Sequence, residues 1–393
     1  PSFRAFLLCL GTKSSSVQRS QSNMIYLDHN ATTPIDPAVF EAMQPFLTTF
    51  YGNPSSLHRH GRAVRTALDQ AREQVANLVN VSPEQVIFTS GGTEANNLAI
   101  SSATFAQAKS MLVGATEHPS VIEPMKQLVA DGYACEELSV NQQGVIPMDS
   151  LAVLLNKDVG FISVMHANNE TGVIQEISFL AEMARKNNTV IHTDAVQSVG
   201  KIPVDFMSMN VNLLSLSSHK IYGPKGVGAL IHDNNTALSP TLHGGGQEES
   251  LRPGTENVAG IIGFGKAAEL ASQLLVERSE HLLNLRDTLE RGIRDIKGLY
   301  IAGESANRLP NTIQILIDNV DGEMLLMQLD QKAIAVSSGS ACSSNSKRPS
   351  SVLKAMGYTD KLALSAIRVS LGQQNTLTDV SEFIAALKAI VSR

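Results

Sequence analysis

The chain has 393 residues, 43% of them hydrophobic and 17% charged, and a formal net charge of -6. That balance excludes disorder over most of the length, and the dispersed Lys and Arg residues exclude the basic runs that a phosphate backbone needs. No uninterrupted apolar stretch approaches a membrane span, and the length favours two domains sharing one chain. Three cysteines, Cys9, Cys135 and Cys342, are too few for a disulfide framework. They fit a reducing compartment and cannot supply four thiolates to a zinc site or an iron–sulfur cluster.

Residues 1–23 stand apart, with Arg4, Lys13, Arg19, six serines and no acid. The composition fits an organellar transit peptide, an over-called start or an expression remnant. Met24 directly precedes the strand-like run IYLD and is favoured as the functional start, so residues 1–23 are expected to lie outside the fold. From Met24 onward short apolar runs alternate with amphipathic stretches. The apolar runs predict strands at VIFT (86–89), MLVGAT (111–116), FISVMH (161–166), TVIHTD (189–194), LLSLSS (213–218) and GVGALIH (226–232). Helical spacing predicts helices over 57–80, 93–109 and 178–187. Such alternation implies a mostly parallel α/β sheet covered by helices, with chemistry at the strand C-termini. Residues 261–296 show a helical pattern without a sharp break, leading to a smaller α/β unit. That unit contains TIQILID (312–318), a helix near 322–331, AIAVS (333–337), a helix near 350–356 and AIRVSL (366–371). The division expected is 30–275 for a large domain and 24–29 plus 276–393 for a small one.

Polar motifs close several of these runs. Ser90-Gly91-Gly92-Thr93 falls between a strand and a helix, where glycines admit close approach and the helix N-terminus offers N–H groups to a phosphate; an ordinary turn is the equal alternative. Asp194 ends an apolar run with Gln197 three residues on, placed either to hold a pyridine nitrogen protonated or to cap a helix. Lys220, in SSHKIYGPKG, sits in too tight a frame for a solvated surface charge and reads as a Schiff-base lysine, with Ser217 and His219 as phosphate donors. His118 follows a strand and is placed to stack on a flat ring and move protons. Asn168 and Asn169 are donors to a cofactor or substrate. Arg368, on a strand, needs an anion: a substrate carboxylate or an internal ion pair. Cys342 lies in SSGSACSSNSKRPS (337–350), where seven serines in fourteen residues cannot make a core. A thiol there, near Lys347 and Arg348, reads as reactive, whereas Cys135 reads as a small hydrophobe.

In order, DHNATTP (28–34), GNPSSLH (52–58), SGGTEANNLAI (90–100), TEHPSV (116–121), HANNETG (166–172), HTDAVQ (192–197), SSHKIYGPKG (217–226), RPGTEN (252–257), SSGSACSS (337–344) and RVSLG (368–372) resemble the group I cysteine desulfurases of the NifS/IscS type. The resemblance runs from Met24 almost to the C-terminus. It implies a fold type I enzyme dependent on pyridoxal 5′-phosphate (PLP), with a mostly parallel seven-stranded sheet in the large domain, homodimeric, with active sites at the subunit boundary. It further implies that Lys220 carries the cofactor. Gly92, Thr93, Ser217, Ser218 and His219 would hold the phosphate with Thr255 of the other subunit, His118 would stack on the ring, Asp194 would pair with its nitrogen and Gln197 would reach its phenolic oxygen. Asn169 and Arg368 would orient the substrate. The long serine-rich form of the Cys342 segment is the group I feature. Ser218 departs from the glycine common at its place, and SSNSKRPS departs from the acidic or neutral stretch of many relatives.

The chemistry implied is removal of sulfur from L-cysteine, leaving L-alanine and a persulfide on Cys342 for an iron–sulfur scaffold protein or another acceptor. No resident metal is expected, Cys342 lending at most a transient thiolate to a cluster, and neither DNA nor a membrane is an expected partner. The cytoplasm is the expected location, or an organellar matrix if residues 1–23 are a transit peptide. Selenocysteine lyase or aminotransferase chemistry on the same fold is the nearest rival, and a non-catalytic assembly scaffold is a second.

Overall fold

Apolar runs form the strands and amphipathic stretches the helices in the computed structural model, which describes residues 24–106, 108–155, 158–338 and 348–392. The chain opens with β1 (Ile25–Tyr26), α1 (Pro37–Thr48) and α2 (Arg59–Leu78). There follow β2 (Val86–Thr89), α3 (Gly92–Ser101), β3 (Ser110–Gly114), α4 (Pro119–Ala130), β4 (Ala134–Leu138) and α5 (Met148–Leu155). Next come β5 (Phe161–Ser163), α6 (Ile177–Lys186), β6 (Val190–Asp194), α7 (Phe206–Met209), β7 (Leu213–Ser217) and β8 (Gly228–His232). The remainder comprises α8 (Val258–Gln273), α9 (Leu275–Ile293), β9 (Leu299–Ile301), β10 (Thr312–Ile317), α10 (Gly322–Asp330), β11 (Ile334–Ala335), β12 (Ser337–Ser338), α11 (Ser351–Ala355), α12 (Asp360–Ala363), β13 (Ile367–Ser370) and α13 (Leu377–Val391).

The expected mostly parallel sheet of seven strands is borne out, in the order β2-β8-β7-β6-β5-β3-β4. Only β8 runs against its neighbours β7 and β2. The reason is length: ten residues join β7 to β8, and a parallel return needs a longer crossover, usually a helix. That short connection carries Lys220. Both faces of the sheet are covered. Phe161 and Ile162 enter separate cores on opposite faces, the first with Leu98 and Met111, the second with Leu68 and Phe264. A second sheet, β12-β13-β10-β9, is antiparallel and packs Ile313, Ile315 and Val369 against Leu285 and Phe383.

Two expectations are corrected. The helical pattern over 261–296 is two helices, α8 and α9, bent by 72° at Leu274. α8 is held against α1 and α2, where a Cβ on Gly263 would come within 2.6 Å of Met43 Sδ. α9 buries Leu282, Leu285 and Leu289 in the second core, so packing on two bodies bends a segment whose local propensity is continuous. Among the described residues no single helix is long and apolar enough to cross a membrane. The run AIAVS is two strands: β11 pairs with β1, β12 pairs with β13, and Val336 lies between them.

Candidate active site

β2, β3, β5, β6 and β7 all point the same way, so their C-terminal ends deliver polar residues to one edge of the large sheet. There they enclose a cavity of about 230 Å³. Its wall takes Gly92, Thr93, His118, Asn169, Asp194, Gln197, Ser217, His219 and Lys220, nine residues singled out in the sequence. Asn96, Ser120, Met165 and Val196 complete it. A larger cleft of about 690 Å³, lined by Arg65, Arg72, Glu248 and Glu256 among others, shares none of these residues.

Asp194 is fixed by two donors: Val196 N–H to Oδ1 at 2.9 Å and Asn96 Nδ2 to Oδ2 at 2.8 Å. Asn96 Nδ2 also donates to Ser120 Oγ (2.8 Å), which meets His118 Nδ1 at 2.7 Å. The backbone N–H of Ser120 donates to the same Nδ1 at 3.1 Å, which makes Nδ1 the acceptor and leaves the ring proton of the neutral imidazole on Nε2. Burial lowers the His118 pKa, with Asp194 pulling it up and Lys220 pushing it down. One relay of hydrogen bonds thus sets both the carboxylate and the imidazole.

Lys220 follows β7 in a tight turn, and Nζ donates to the backbone oxygens of Asn30 and Ala31, the latter at 2.8 Å. The turn is clamped by Thr33, whose N–H and hydroxyl both donate to His219 O (3.1 and 2.9 Å). His219 Nδ1 lies 3.1 Å from Thr32 Oγ1. Burial first, then Lys220, Lys225 and Lys201, hold its pKa down at about 4. Beneath the cavity, Glu117 accepts from Met165 N–H; burial keeps its carboxyl protonated well above the usual range, Asp194 reinforcing and Met165 opposing.

Other expected residues are placed elsewhere. Arg368 is 3% exposed and outside the cavity wall; Nη2 pairs with Asp28 Oδ1 at 2.7 Å and Nη1 donates to Asn169 O at 3.2 Å. The internal ion pair is therefore what the structure shows. The Ser218 side chain turns away from the cavity, its Oγ lying where a Cβ on Gly223 would fall within 1.9 Å. Asn168 Oδ1 is spent on the turn, accepting from Glu170 N and Thr171 N at 2.9 Å each. Thr255 is exposed and does not line the cavity. Cys342 lies outside the described residues. Cys135, on β4, is a partly buried thiol whose pKa is raised by burial and by Glu137.

The class-V aminotransferase family model matches residues 25–383. A cysteine desulfurase IscS from Dictyoglomus turgidum is 45% identical, covering 94% of this chain and 95% of its own; one from Pectobacterium carotovorum is 43% identical, covering 94% and 93%. The solved NifS-like protein from Rickettsia africae gives a TM-score of 0.87 at 35% identity, over 94% of this chain and 100% of that one. SspA, solved in complex with cysteine, gives 0.79 at 31% identity, over 90% and 100%. The chain belongs to the class-V aminotransferase family.

As a class-V aminotransferase among the cysteine desulfurases, it depends on PLP. The residues present fit that cofactor. Ser217 Oγ is buried in the cavity wall without a partner among the described residues, beside Gly92 and Thr93 at the open N-terminus of α3, which suits a phosphate. A carboxylate held by two donors suits a pyridine nitrogen, and an amine at the same cavity suits an aldehyde. The sequence reading missed Asn30, Asn96, Ser120, Asp28, Lys201, Glu117 and Glu170 as site residues. Six of the seven lie inside motifs quoted for the family, so position within a motif was the available signal; Lys201 had none.

Proposed function

We propose that this PLP-dependent cysteine desulfurase works on L-cysteine at the Lys220 cavity and passes the sulfur, as a persulfide on Cys342, to an iron–sulfur scaffold protein or another acceptor. The carrying observation is the convergence of Lys220, Asp194 and His118 on one cavity at the strand ends of the large sheet. PLP bound through Lys220 supplies an electron sink that makes the Cα proton of an attached amino acid removable. Gly92, Thr93, Ser217 and His219 would hold its phosphate, with Ser218 contributing through the backbone of the same turn; Asp194 would face its nitrogen, His118 its ring and Gln197 its phenolic oxygen.

The chain's own residues do the rest. The Lys220 amine, presented by the carbonyls of Asn30 and Ala31, takes the Cα proton. The neutral imidazole of His118 carries a proton on Nε2 for the departing or returning group. Arg368 and Asn169 orient the substrate, whose carboxylate exchanges with Asp28 on the guanidinium. At Cys342 an S–S bond forms as the substrate C–S bond breaks; the C–S electron pair stays with carbon, which is protonated to alanine. Cysteine plus thiol gives alanine plus persulfide, with no outside oxidant or reductant.

The reading includes a homodimer in which Thr255 reaches the partner's cofactor. Its exposure supports this, as do Phe40, Leu47, Tyr51 and Leu57, large apolar side chains exposed along α1 and the loop after it. A thiol relay also needs a reducing compartment, which fits the cytoplasm or, if residues 1–23 are a transit peptide, an organellar matrix. The test is incubation with L-cysteine. Cys342→Ser should keep the yellow cofactor and lose sulfide release, and Lys220→Ala should lose the cofactor–lysine absorbance. Full turnover by Cys342→Ser would sink the relay, and amino-group transfer to the cofactor without alanine would favour an aminotransferase.

A further inference from the structure

Gln314 is 0% exposed, and neither its Oε1 nor its Nε2 has a hydrogen-bond partner among the described residues. An amide buried with both ends unmade weakens the resting fold and calls for an explanation. Gln314 stands on β10 directly opposite Arg368 on β13. Residues paired in this way share one face of a sheet, with Cβ atoms about 4.5–5.5 Å apart, so these two long side chains are neighbours. Arg368 carries the complementary defect, since its Nε–H is also buried and unpartnered among the described residues. Nη1 and Nη2 are engaged, with Asn169 O at 3.2 Å and Asp28 Oδ1 at 2.7 Å. A spare donor and a spare acceptor therefore sit at one register position without bonding.

We propose that Gln314 is a positioning residue for the substrate carboxylate, its Oε1 accepting the Arg368 Nε–H once that carboxylate has replaced Asp28 on the guanidinium. The ion pair with Asp28 holds the resting guanidinium outside the cavity wall. A substrate joined to the cofactor at Lys220 meets it only after the guanidinium shifts, and that shift breaks the bond that fixed its plane. Bidentate grip on a carboxylate needs the plane fixed again, and Asn169 O alone leaves it free to turn. A bond at Nε supplies the second point. Ser337 flanks Arg368 on the other side, but its side chain is short and its hydroxyl donates to Ser338 O. Gln314 has both the reach and the spare oxygen. The substrate complex then holds one hydrogen bond more than the resting protein, made by a charged donor. It is the same before and during the reaction, so it belongs to KM and not to kcat.

The inference rests on the reading that Arg368 binds the substrate carboxylate. Gln314→Met keeps the length of the side chain and removes both polar atoms. Were the amide only a misfit in the core, an apolar group of similar shape would leave the kinetics as they are. On the proposal, the Gln314→Met holoenzyme is at least as resistant to urea as wild type, keeps kcat within about twofold and raises the KM for L-cysteine about tenfold or more, the loss expected for a hydrogen bond to a charged group. A folded variant with unchanged KM overturns it.

Arg368→Lys separates the two readings, because lysine keeps a charge for Asp28 but has no Nε–H. It should raise KM by itself, and adding Gln314→Met should then change KM less than about twofold, since residues that act as a unit are not additive. A wild-type KM in Arg368→Lys would sink the substrate role of Arg368. A raised KM there, with full additivity of Gln314→Met, would sink the role of Gln314 alone. If Gln314→Met does not fold, crystal structures of the wild-type holoenzyme with and without bound L-alanine decide. Arg368 Nε within about 3.2 Å of Gln314 Oε1 in the complex alone supports the proposal. A guanidinium still on Asp28 in the complex, or a water joining Nε to Gln314 in both states, overturns it.

Discussion

Asn30 uses every polar atom it has. Its N–H donates to Ser370 Oγ, its backbone oxygen accepts from Gln197 and Lys220, its Oδ1 accepts from Lys201 and Asn311, and its Nδ2 donates to Asn169 O and Thr312 Oγ1. At 1% exposure no water can replace these partners. Four of the seven partners belong to loops of the large sheet and three to the second sheet or its approach, so one side chain joins the two bodies beneath the cofactor lysine. Asn30→Ala would leave Lys201 with one acceptor and orphan buried groups on both sides, each costing about 1–3 kcal/mol, for a total loss of about 3 kcal/mol or more. Asn30→Asp keeps an acceptor for Lys201 while losing both Nδ2 bonds, and should lose less. Urea denaturation of wild type and both variants checks this, and a loss below about 1 kcal/mol for Asn30→Ala would refute the hub.

At the scale of elements, the segment bearing Cys342 is tied at both ends to the site. Before it, β12 pairs with β13, Ser337 opposite Arg368. After it, Ser350 caps α11 through Leu353 N–H (3.2 Å) and donates to Glu170 Oε2 at 2.5 Å. Glu170 adjoins Asn169, and burial raises its pKa to about 7, against the pull of Ser350 and Arg368. A carboxyl with a folded value above its unfolded one contributes stability that is complete below pH 4.5 and is lost as pH rises through about 7. Glu170→Gln keeps an acceptor for Ser350 and removes the titration. The variant should therefore gain stability relative to wild type, read as melting temperature, as pH rises from 5 to 8, becoming the more stable at pH 8 by at most about 3 kcal/mol. Equal slopes would show that Glu170 does not titrate there. The strands that bring the site together were legible to within three residues at each end because each is a short, mostly buried run rich in apolar residues, and β6 and β7 close on a polar residue, which is also why Asp194, Ser217 and Lys220 could be read. The bend at Leu274 was not, because an apolar residue between two helix formers carries no break signal and the two cores impose the angle. Lys201 was not, because its link to Asn30 spans 171 positions and a lysine four residues after Gln197 is not by itself a site signal.

For the molecule as a whole, buried histidines set the response to acid. Burial lowers His29 and His166 to about 4 and His192 to about 3. His192 bridges Ser163 Oγ at 2.8 Å and Ser215 Oγ at 2.9 Å, tying β5, β6 and β7 at the centre of the large sheet. A group with a depressed folded value contributes stability that is complete above its unfolded pKa, 6.5 here, and is lost as pH falls through the folded value. Glu117 and Glu170 act in the opposite sense, since their raised carboxyls hold protons that the unfolded chain gives up above pH 4.5. Near pH 5.5 these three histidines and His219, also held at about 4, would take up about one proton each on unfolding against two carboxyls releasing about one each, so unfolding should take up roughly two protons net. The melting temperature should accordingly fall as pH drops from 6.5 toward 4.5. Calorimetric unfolding in two buffers of different ionisation enthalpy at pH 5.5 measures the proton count directly, and a net release would mean that the buried carboxyls, not the histidines, govern acid stability.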